Sequence, residues 1–427
     1  MPATPHSVHS GYAGLVAESA VDFRVHTSIY TDATIFEDEL ERIFETSWVY
    51  VAHDSEVPAP GDYRTAVIGR QPVIVSRDQQ GAIHLLLNTC RHRGNVVCRE
   101  ERGNASVFRC PYHGWLYGSS GELLGVSERG GYSEGFEQRL GGLVPVPRMA
   151  VYRGLIFGSL SPTGESLEDY LGEAREYVDL WVERSPNGVV RVRRPHRFSY
   201  HANWKFQAEN GADGYHGRYV HESAFKTTSQ FQGQAREERR TSVHGIGATR
   251  GFRNGHCLLE RPGTRGELPA ELLEEYLEAL AGRYGPQRAE RIAMVRHVFL
   301  FPNVYLMDDH LRVHYPIQVD RTEVHSFFTF LEGAPAEVNR LRLKNLQWRH
   351  SQAGLIGTDD VEMFIGCQSG MQARAAGWIT LARGLESETQ TDSGERLGGS
   401  SDETPQRAIY RHWVHLMTQG PVMGQRG

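Results

Sequence analysis

The spacing of hydrophobic and polar residues follows three patterns along the chain, and each pattern predicts a different structure. Apolar side chains at helical spacing from Thr31 to Trp48 predict a helix, with Asp32 or Thr34 as its N-cap. Short β-rich runs separated by Gly, Pro, Asp and Asn fill about Val51 to Leu160 and are typical of a small all-β domain. After a break near residues 161–164, strands and helices mix.

The second half of the chain predicts an antiparallel sheet with helices. Apolar residues recur on one face from Glu267 to Tyr284, and further helices are expected over Pro335 to Ala353 and over Thr404 to Met417. Four strands of one sheet are predicted, over Ala293 to Pro302, Val304 to Met307, Leu311 to Val319 and Glu323 to Leu331. The predicted fold class is therefore α+β.

Composition excludes several classes of partner. The 427 residues carry a net charge of -6, which argues against a nucleic-acid ligand. We find neither a secretory signal nor an apolar run of about 18 residues, so we expect no membrane span. Five cysteines, an odd and sparse set, favour a reducing, cytoplasmic location. The chain has 43 arginines but 3 lysines, which indicates codon bias or, for a few arginines, carboxylate binding.

Two short motifs in the β-rich part predict a metal cluster. Cys90 and His92 have one residue between them, seventeen residues separate His92 from Cys110, and His113 lies three positions after Cys110. A structural zinc site is the alternative, but zinc ligand pairs usually keep at least two residues between them. One cysteine and one histidine on each of two loops suit a Rieske [2Fe-2S] cluster, with one iron on the thiolates and the other on the imidazoles.

A second set of candidate ligands lies in the mixed part of the chain. Asp213, His216 and His221 would lie near one face of a helix, so the two histidines could point into a common pocket. Two histidines and a carboxylate form the facial triad of non-haem Fe(II) oxygenases. The motif is weak alone and gains weight from the cluster motif before it.

These motifs resemble those of one family. CRHRG, CPYHGW and NWKFQAENGADGYHGRYVH are similar to the signatures of Rieske non-haem iron ring-hydroxylating dioxygenase α subunits, and QAENGADGYH, GFRNGHCLLE and FLFPNVYLMD resemble the benzoate, toluate and anthranilate branch. The resemblance implies an all-β Rieske domain over 49–160. It also implies a helix-grip (START-like) catalytic domain over 161–427 with a curved antiparallel sheet, against which residues 1–48 pack.

The resemblance also implies roles for individual residues. His216 and His221 would bind a mononuclear Fe(II), and Asp360 would be the third ligand, with Asp359 and Glu362 as the alternatives. Asp213 would be a bridging carboxylate that accepts hydrogen bonds from His216 and from a Rieske histidine of a neighbouring subunit. Asn210 would lie near the iron.

The implied function is cis-dihydroxylation of an aromatic ring with O2. NADH electrons would arrive through a separate reductase, with or without a ferredoxin, and a small β subunit would complete an α3β3 assembly unless the enzyme is α3. A benzoate-like carboxylate needs a cationic partner, and Arg218 ranks before Arg296 and Arg312 for that role. The alternatives are a Rieske monooxygenase that hydroxylates or demethylates an aromatic acid, a dioxygenase for a neutral arene, and an electron-transfer protein with an empty second site.

Overall fold

A computed structural model gives the structure of the chain and describes residues 11–232, 247–262, 268–351 and 353–419. The described residues form two units. Residues 44–167 make up one, while 11–43 and 168–419 together make up the other. Among the described helices, none is long and apolar enough to cross a membrane.

The smaller unit consists mainly of three antiparallel sheets, which confirms the predicted all-β domain. One sheet has four strands, in the order Ile83–Leu87, Gln71–Arg77, Asp62–Ile68 and Arg102–Asn104. Two have three strands each, in the orders Leu123–Gly125, Leu116–Gly118, Val107–Arg109 and Arg148–Tyr152, Leu155–Ser159, Val49–His53. Its helices are short: Asp54–Glu56, Arg129–Gly131 and Phe136–Leu140.

The larger unit is built on a nine-stranded antiparallel sheet. Its strand order is Val190–Tyr200, Arg321–Leu331, His310–Gln318, Val304–Leu306, Val295–Leu300, Cys257–Arg261, Ala248–Gly251, Arg396–Gly399 and Thr389–Gln390. The four strands predicted for one sheet lie side by side in it, with bounds shifted by a few residues. A second sheet of three strands joins Val16–Glu18, Phe23–His26 and Trp378–Thr380.

The larger unit also contains most of the described helices. Its α-helices span Ser28–Thr31, Ala33–Glu39, Ala174–Val182, Trp204–Asn210, Gly217–Val220, Glu222–Gln232, Ala270–Tyr284, Pro286–Ala293, Ala336–His350, Gly357–Gly370 and Thr404–Thr418, and Leu167–Leu171 crosses the boundary between the units. Three of the predicted helices are confirmed with slightly different ends. Residue 267 and residue 352, inside two predicted helices, lie outside the described residues.

The first predicted helix is shorter than its apolar pattern indicated. The α-helix spans Ala33–Glu39 and continues as one π-type turn over Leu40–Phe44. Asp32 is its N-cap and accepts hydrogen bonds from the backbone N–H groups of Thr34 at 2.7 Å and of Ile35 at 3.3 Å. Thr34 therefore lies inside the first turn, and the alternative cap at that residue was wrong.

One face of the large sheet carries the helix Trp204–Asn210. Tyr305, in a central strand, donates a hydrogen bond to Ala208 O at 2.6 Å, and the ring of Trp204 stacks on His314 at 5.8 Å. Asn203 caps this helix and accepts from Lys205 N at 3.1 Å. The sheet thereby fixes the segment that leads into the predicted iron ligands.

Candidate metal centres

The two Cys–His motifs form a pair of matching loops in the smaller unit. In each loop the glycine N–H donates to the carbonyl of the cysteine four residues earlier, Gly94 to Cys90 and Gly114 to Cys110, both at 3.0 Å. Both glycines have positive φ, 71° and 73°, which side-chain-bearing residues rarely adopt. The glycine four residues after each cysteine is thus required by the loop shape.

These loops bring two thiols and two imidazoles together. Cys90 and Cys110 are buried, and Nδ1 of His92 lies 3.1 Å from Nδ1 of His113. Two nitrogens that bind the same metal ion, each at about 2.1 Å, would lie about 3 Å from each other. The ring of His92 stacks on Trp115 at 4.8 Å, which holds its orientation. The residues therefore fit a cluster with one sulfur-bound and one nitrogen-bound iron.

Hydrogen-bond donors surround the two sulfur atoms. Burial would raise the pKa of Cys110, but backbone N–H groups of Tyr112 and His113 and its neighbouring thiol outweigh burial, so the pKa lies below the ordinary value. The hydroxyl of Tyr117 lies 3.2 Å from Sγ of Cys90. Donors of this kind stabilise thiolate charge and tune the potential of an iron–sulfur cluster.

A second cluster of ligand groups lies in the larger unit. His216, His221 and Asp360 each offer one atom within 4.8 Å of the others. Oδ1 of Asp360 lies 3.5 Å from Nε2 of His216 and 3.2 Å from Nε2 of His221. Two imidazoles and one buried carboxylate are the donor set of a facial-triad iron site. Asn210 Nδ2 lies 3.3 Å from both His216 Nε2 and Asp360 Oδ1, so it is close to this centre, as expected.

The chain reaches this geometry in a different way from the single helix that was expected. The helix Trp204–Asn210 ends before the ligands, and His216 and His221 stand at the two ends of the short helix Gly217–Val220. Asp360 lies in the first turn of the helix Gly357–Gly370. The interruption at residues 211–216 turns His216 towards His221, with their rings 5.3 Å apart.

A carboxylate faces the outer nitrogen of each histidine. Nδ1 of His216 lies 3.2 Å from Asp213, and Nδ1 of His221 lies 3.5 Å from Asp359. Burial would lower the pKa of His216, but Asp213 reverses that effect and raises it. Burial would likewise raise the pKa of Asp213, and the contact with His216 lowers it. An imidazole that donates Nδ1–H outwards directs its Nε2 lone pair at a metal.

This arrangement separates the three acids considered for the third ligand position. Asp360 faces both Nε2 atoms, whereas Asp359 lies on the outer side of His221. Glu362 lines a surface pocket of about 350 Å³ together with Asp359. The N-cap of this helix is Ile356, so Asp359 lies within its first turn. Its position beside His221 was not foreseen.

The three arginines considered for substrate binding have different surroundings. Arg218 is exposed and lies over the ring of Tyr219, with its guanidinium carbon 5.6 Å from the ring centre. Arg296 is buried and paired with Glu260. Arg312 is buried as well, and its contacts are imidazoles.

The sequence matches two protein-family models. Residues 47–132 match the Rieske [2Fe-2S] domain, and residues 187–419 match the catalytic domain of the ring hydroxylating alpha subunit. The chain belongs to the ring-hydroxylating α subunits. It is thus a Rieske-type oxygenase that takes electrons from a reductase and acts with O2 on an aromatic substrate, and its cofactors are a Rieske [2Fe-2S] cluster and a mononuclear iron.

Individual relatives support the same branch as the motifs. The chain is 34% identical to the 2-halobenzoate 1,2-dioxygenase large subunit of Burkholderia cepacia, over 93% of this chain and 90% of the relative. It is 35% identical to the anthranilate 1,2-dioxygenase large subunit of Acinetobacter baylyi, over 89% and 86%. The crystal structure of naphthalene 1,2-dioxygenase with bound indole matches with a TM-score of 0.83, 29% identity, and coverage of 95% and 94%.

Proposed function

We propose that the chain is the terminal oxygenase subunit that cis-dihydroxylates an aromatic carboxylate of the benzoate class. The observation that carries this proposal is the convergence of His216, His221 and Asp360 on one point, in a chain that also holds paired Cys–His loops. Its similarity to large subunits named for 2-halobenzoate and anthranilate supports the acid class.

We assign the Rieske cluster to Cys90, His92, Cys110 and His113, and the mononuclear iron to the triad. Iron(II) with open coordination positions supplies O2 chemistry that amino-acid side chains cannot. The other residues orient and shield this centre. Oδ2 of Asp213 lies 3.2 Å from Nδ1 of His216 and favours a proton on that nitrogen, which leaves Nε2 as the ligand atom. Asn210 donates to Oδ1 of Asp360, the oxygen that also faces the two histidines, and limits the rotation of this carboxylate.

Asp213 is also assigned the second role that the family resemblance implies. Its Oδ1 accepts the backbone N–H of Tyr215 at 2.6 Å, which fixes the carboxylate, and Oδ2 faces His216. A carboxylate held this way can accept a further hydrogen bond from a histidine of a neighbouring subunit. It would then link the cluster to the iron ligand by a hydrogen-bonded path.

The assembly and location form part of the proposal. We place the chain in a head-to-tail trimer, α3 or α3β3, supplied by a reductase with or without a ferredoxin, in the reducing cytosol. None of the five cysteines, all within the described residues, forms a disulfide, which agrees with a reducing compartment. We keep the proposed division into 1–48, 49–160 and 161–427, in which the first segment packs with the catalytic domain.

Iron content and product labelling together test this function. The purified chain should hold about three irons, two in the cluster and one in the triad. Benzoate turned over with a surrogate reductase under ¹⁸O2 should yield a cis-diol that carries two labelled atoms. One labelled atom would establish a monooxygenase, and two irons without turnover would establish an electron carrier.

A further inference from the structure

Arg312 stands in the central strand His310–Gln318 of the large sheet, with its guanidinium in the interior. We propose that Arg312, oriented by His310 and His350, binds the carboxylate of the aromatic substrate. This inference rests on the proposed function, because it names the group that recognises the acid.

Arg312 lies on the sheet face that carries the iron-binding helices. It is paired with Tyr305 in one neighbouring strand and with Ser326 in the other, and directly paired residues project from the same face. The hydroxyl of Tyr305 binds the helix Trp204–Asn210, as described above. On the same face the ring of Tyr200 contacts Phe364 of the helix Gly357–Gly370 at 5.3 Å.

Arg296 projects from the opposite face of the same sheet. Its neighbour His297 binds Gly211 O at 2.8 Å, on the side of the iron-binding segment, and adjacent residues of a strand alternate between faces. Arg296 also has Glu260 as a partner. It is therefore poorly placed to meet a substrate beside the triad.

Arg312 differs from the other buried arginines in its partners. In the described part of the chain, Arg42, Arg64, Arg184, Arg296 and Arg407 are buried, and each has a carboxylate within 4.0 Å. Arg312 is 6% exposed, and no carboxylate of the described residues lies within that distance. A buried cation without an anionic partner is costly, so a bound anion would stabilise this site.

Two imidazoles fix the direction of the guanidinium. Nδ1 of His310 lies 2.6 Å from Asp309, so it carries the proton and leaves Nε2 as an acceptor for Arg312 Nε–H at 3.2 Å. Nη2 of Arg312 lies 3.3 Å from Nδ1 of His350, which must also accept, because a guanidinium has only donors.

These contacts leave donors for a substrate. Of the five N–H groups of Arg312, the Nε–H and one Nη2–H are used, and three remain on the two terminal nitrogens. Two of them can bind the two oxygens of a carboxylate side by side. Burial lowers the pKa of Arg312, and among the charged groups Asp360 opposes this most strongly. Iron bound to Asp360 would neutralise that negative charge, and a bound anion would then stabilise Arg312 more strongly.

Equilibrium binding to the holoenzyme tests the proposal without turnover. The probes are benzoate and benzamide, which have similar shapes but differ in charge, and calorimetry would give both affinities. We expect Arg312→Gln to weaken benzoate binding at least tenfold and to change benzamide binding less than twofold. Arg312→Lys, which keeps the charge but loses the fork, should give an intermediate loss. Arg340→Gln, an exposed arginine paired with Glu337, is the control and should change neither affinity.

Each outcome has a defined meaning. Unchanged benzoate affinity in folded Arg312→Gln, judged by the Rieske absorption spectrum, would overturn the assignment, and loss in Arg218→Gln would move it to that residue. If Arg312→Gln does not fold, full benzoate affinity in Arg312→Lys overturns it. If the wild-type enzyme forms the labelled diol but Arg312→Gln binds benzoate normally, the assignment of Arg312 is wrong and the proposed function still holds. Arginine-dependent benzoate binding without diol formation would refute that function alone.

Discussion

At the residue scale, sequence motifs identify candidate metal ligands better than the residues that would orient them. His216 and His221 could be recognised because their spacing recurs in a family. Asp359 could not be placed, because its contact with His221 joins positions 138 residues apart in the chain and depends on how one helix meets another. The sequence also could not show that Arg312 is buried with no carboxylate of the described residues within 4.0 Å, which is the observation that favours it as the substrate-binding residue.

Asp359 should influence iron affinity through His221. Asp359→Asn removes the charge beside Nδ1 of His221, so we expect iron to bind about 10- to 100-fold more weakly, while the Rieske absorption stays unchanged. Iron binding to the iron-depleted triad measures the effect. Glu362→Gln, in the same helix and on the surface pocket, is the matched control. Equal iron affinity in Asp359→Asn and wild type would show that Asp359 does not orient the ligand.

A buried histidine should make the larger unit sensitive to acid. Burial lowers the pKa of His256 to about 4, and the neutral ring bridges Phe301 N, which donates to Nδ1, and Tyr170 O, which accepts from Nε2. Between about pH 6.5 and pH 4, His256 is protonated in the unfolded chain but stays neutral in the folded chain. The contribution of His256 to stability is therefore fully present above pH 6.5 and falls by about 1.4 kcal/mol per pH unit as the pH drops towards 4.

Denaturant unfolding between pH 7.5 and 5 measures this slope. His256→Gln should unfold more easily at pH 7.5, but its stability should depend less on pH by about one proton. His201→Gln, at an exposed position, should keep the wild-type slope. A wild-type slope in His256→Gln would assign the acid sensitivity to another group.

At the element scale, the apolar pattern predicts which segments are helical but not exactly where each helix begins and ends. The pattern from Thr31 onwards is helical, yet Asp32 is the cap and the last turn widens at Leu40. Both details depend on tertiary packing, since Glu39 at the end of the α-helix is fully buried. Its partner Lys205 lies in another helix. Lys205 is one of only three lysines in the chain, but composition alone could not show that it is buried in an ion pair.

The buried ion pair between Glu39 and Lys205 should be important for stability. Their charged atoms are 2.6 Å apart, both side chains are fully buried, and the indole N–H groups of Trp204 and Trp413 also donate to Glu39. Glu39→Gln leaves the ammonium without a counter-charge and should lower the free energy of unfolding by about 3–5 kcal/mol. Thermal and denaturant unfolding would measure the loss, with the exposed Glu41→Gln as control.

The double variant Glu39→Met with Lys205→Met separates pairing from packing. It removes both charges and keeps the volume, so it should recover much of the stability lost in Glu39→Gln. If the double variant is as unstable as the single one, the hydrogen bonds from the indoles, rather than the ion pair, hold the three helices together.

At the scale of the whole molecule, the two metal centres lie in two separate units of one chain. The cluster residues fall within 44–167, and the triad lies in the unit that contains 168–419. The sequence could predict both centres, because each motif is local or resembles a known one. Assembly is different, because a head-to-tail contact between subunits is a property of surfaces that no single-chain pattern encodes.

Mixed oligomers test whether electrons pass between subunits. Cys110→Ser should remove the cluster and Asp360→Ala the iron site, so each variant alone should be inactive. In randomly mixed rings, about a quarter of wild-type turnover should return, since half of the subunits keep the iron site and half of those adjoin an intact cluster. Co-expression of Cys110→Ser with the double variant Cys110→Ser/Asp360→Ala is the control and should stay inactive. If native mass spectrometry shows mixed rings without turnover, transfer occurs within one chain and the proposed role of Asp213 between subunits is wrong.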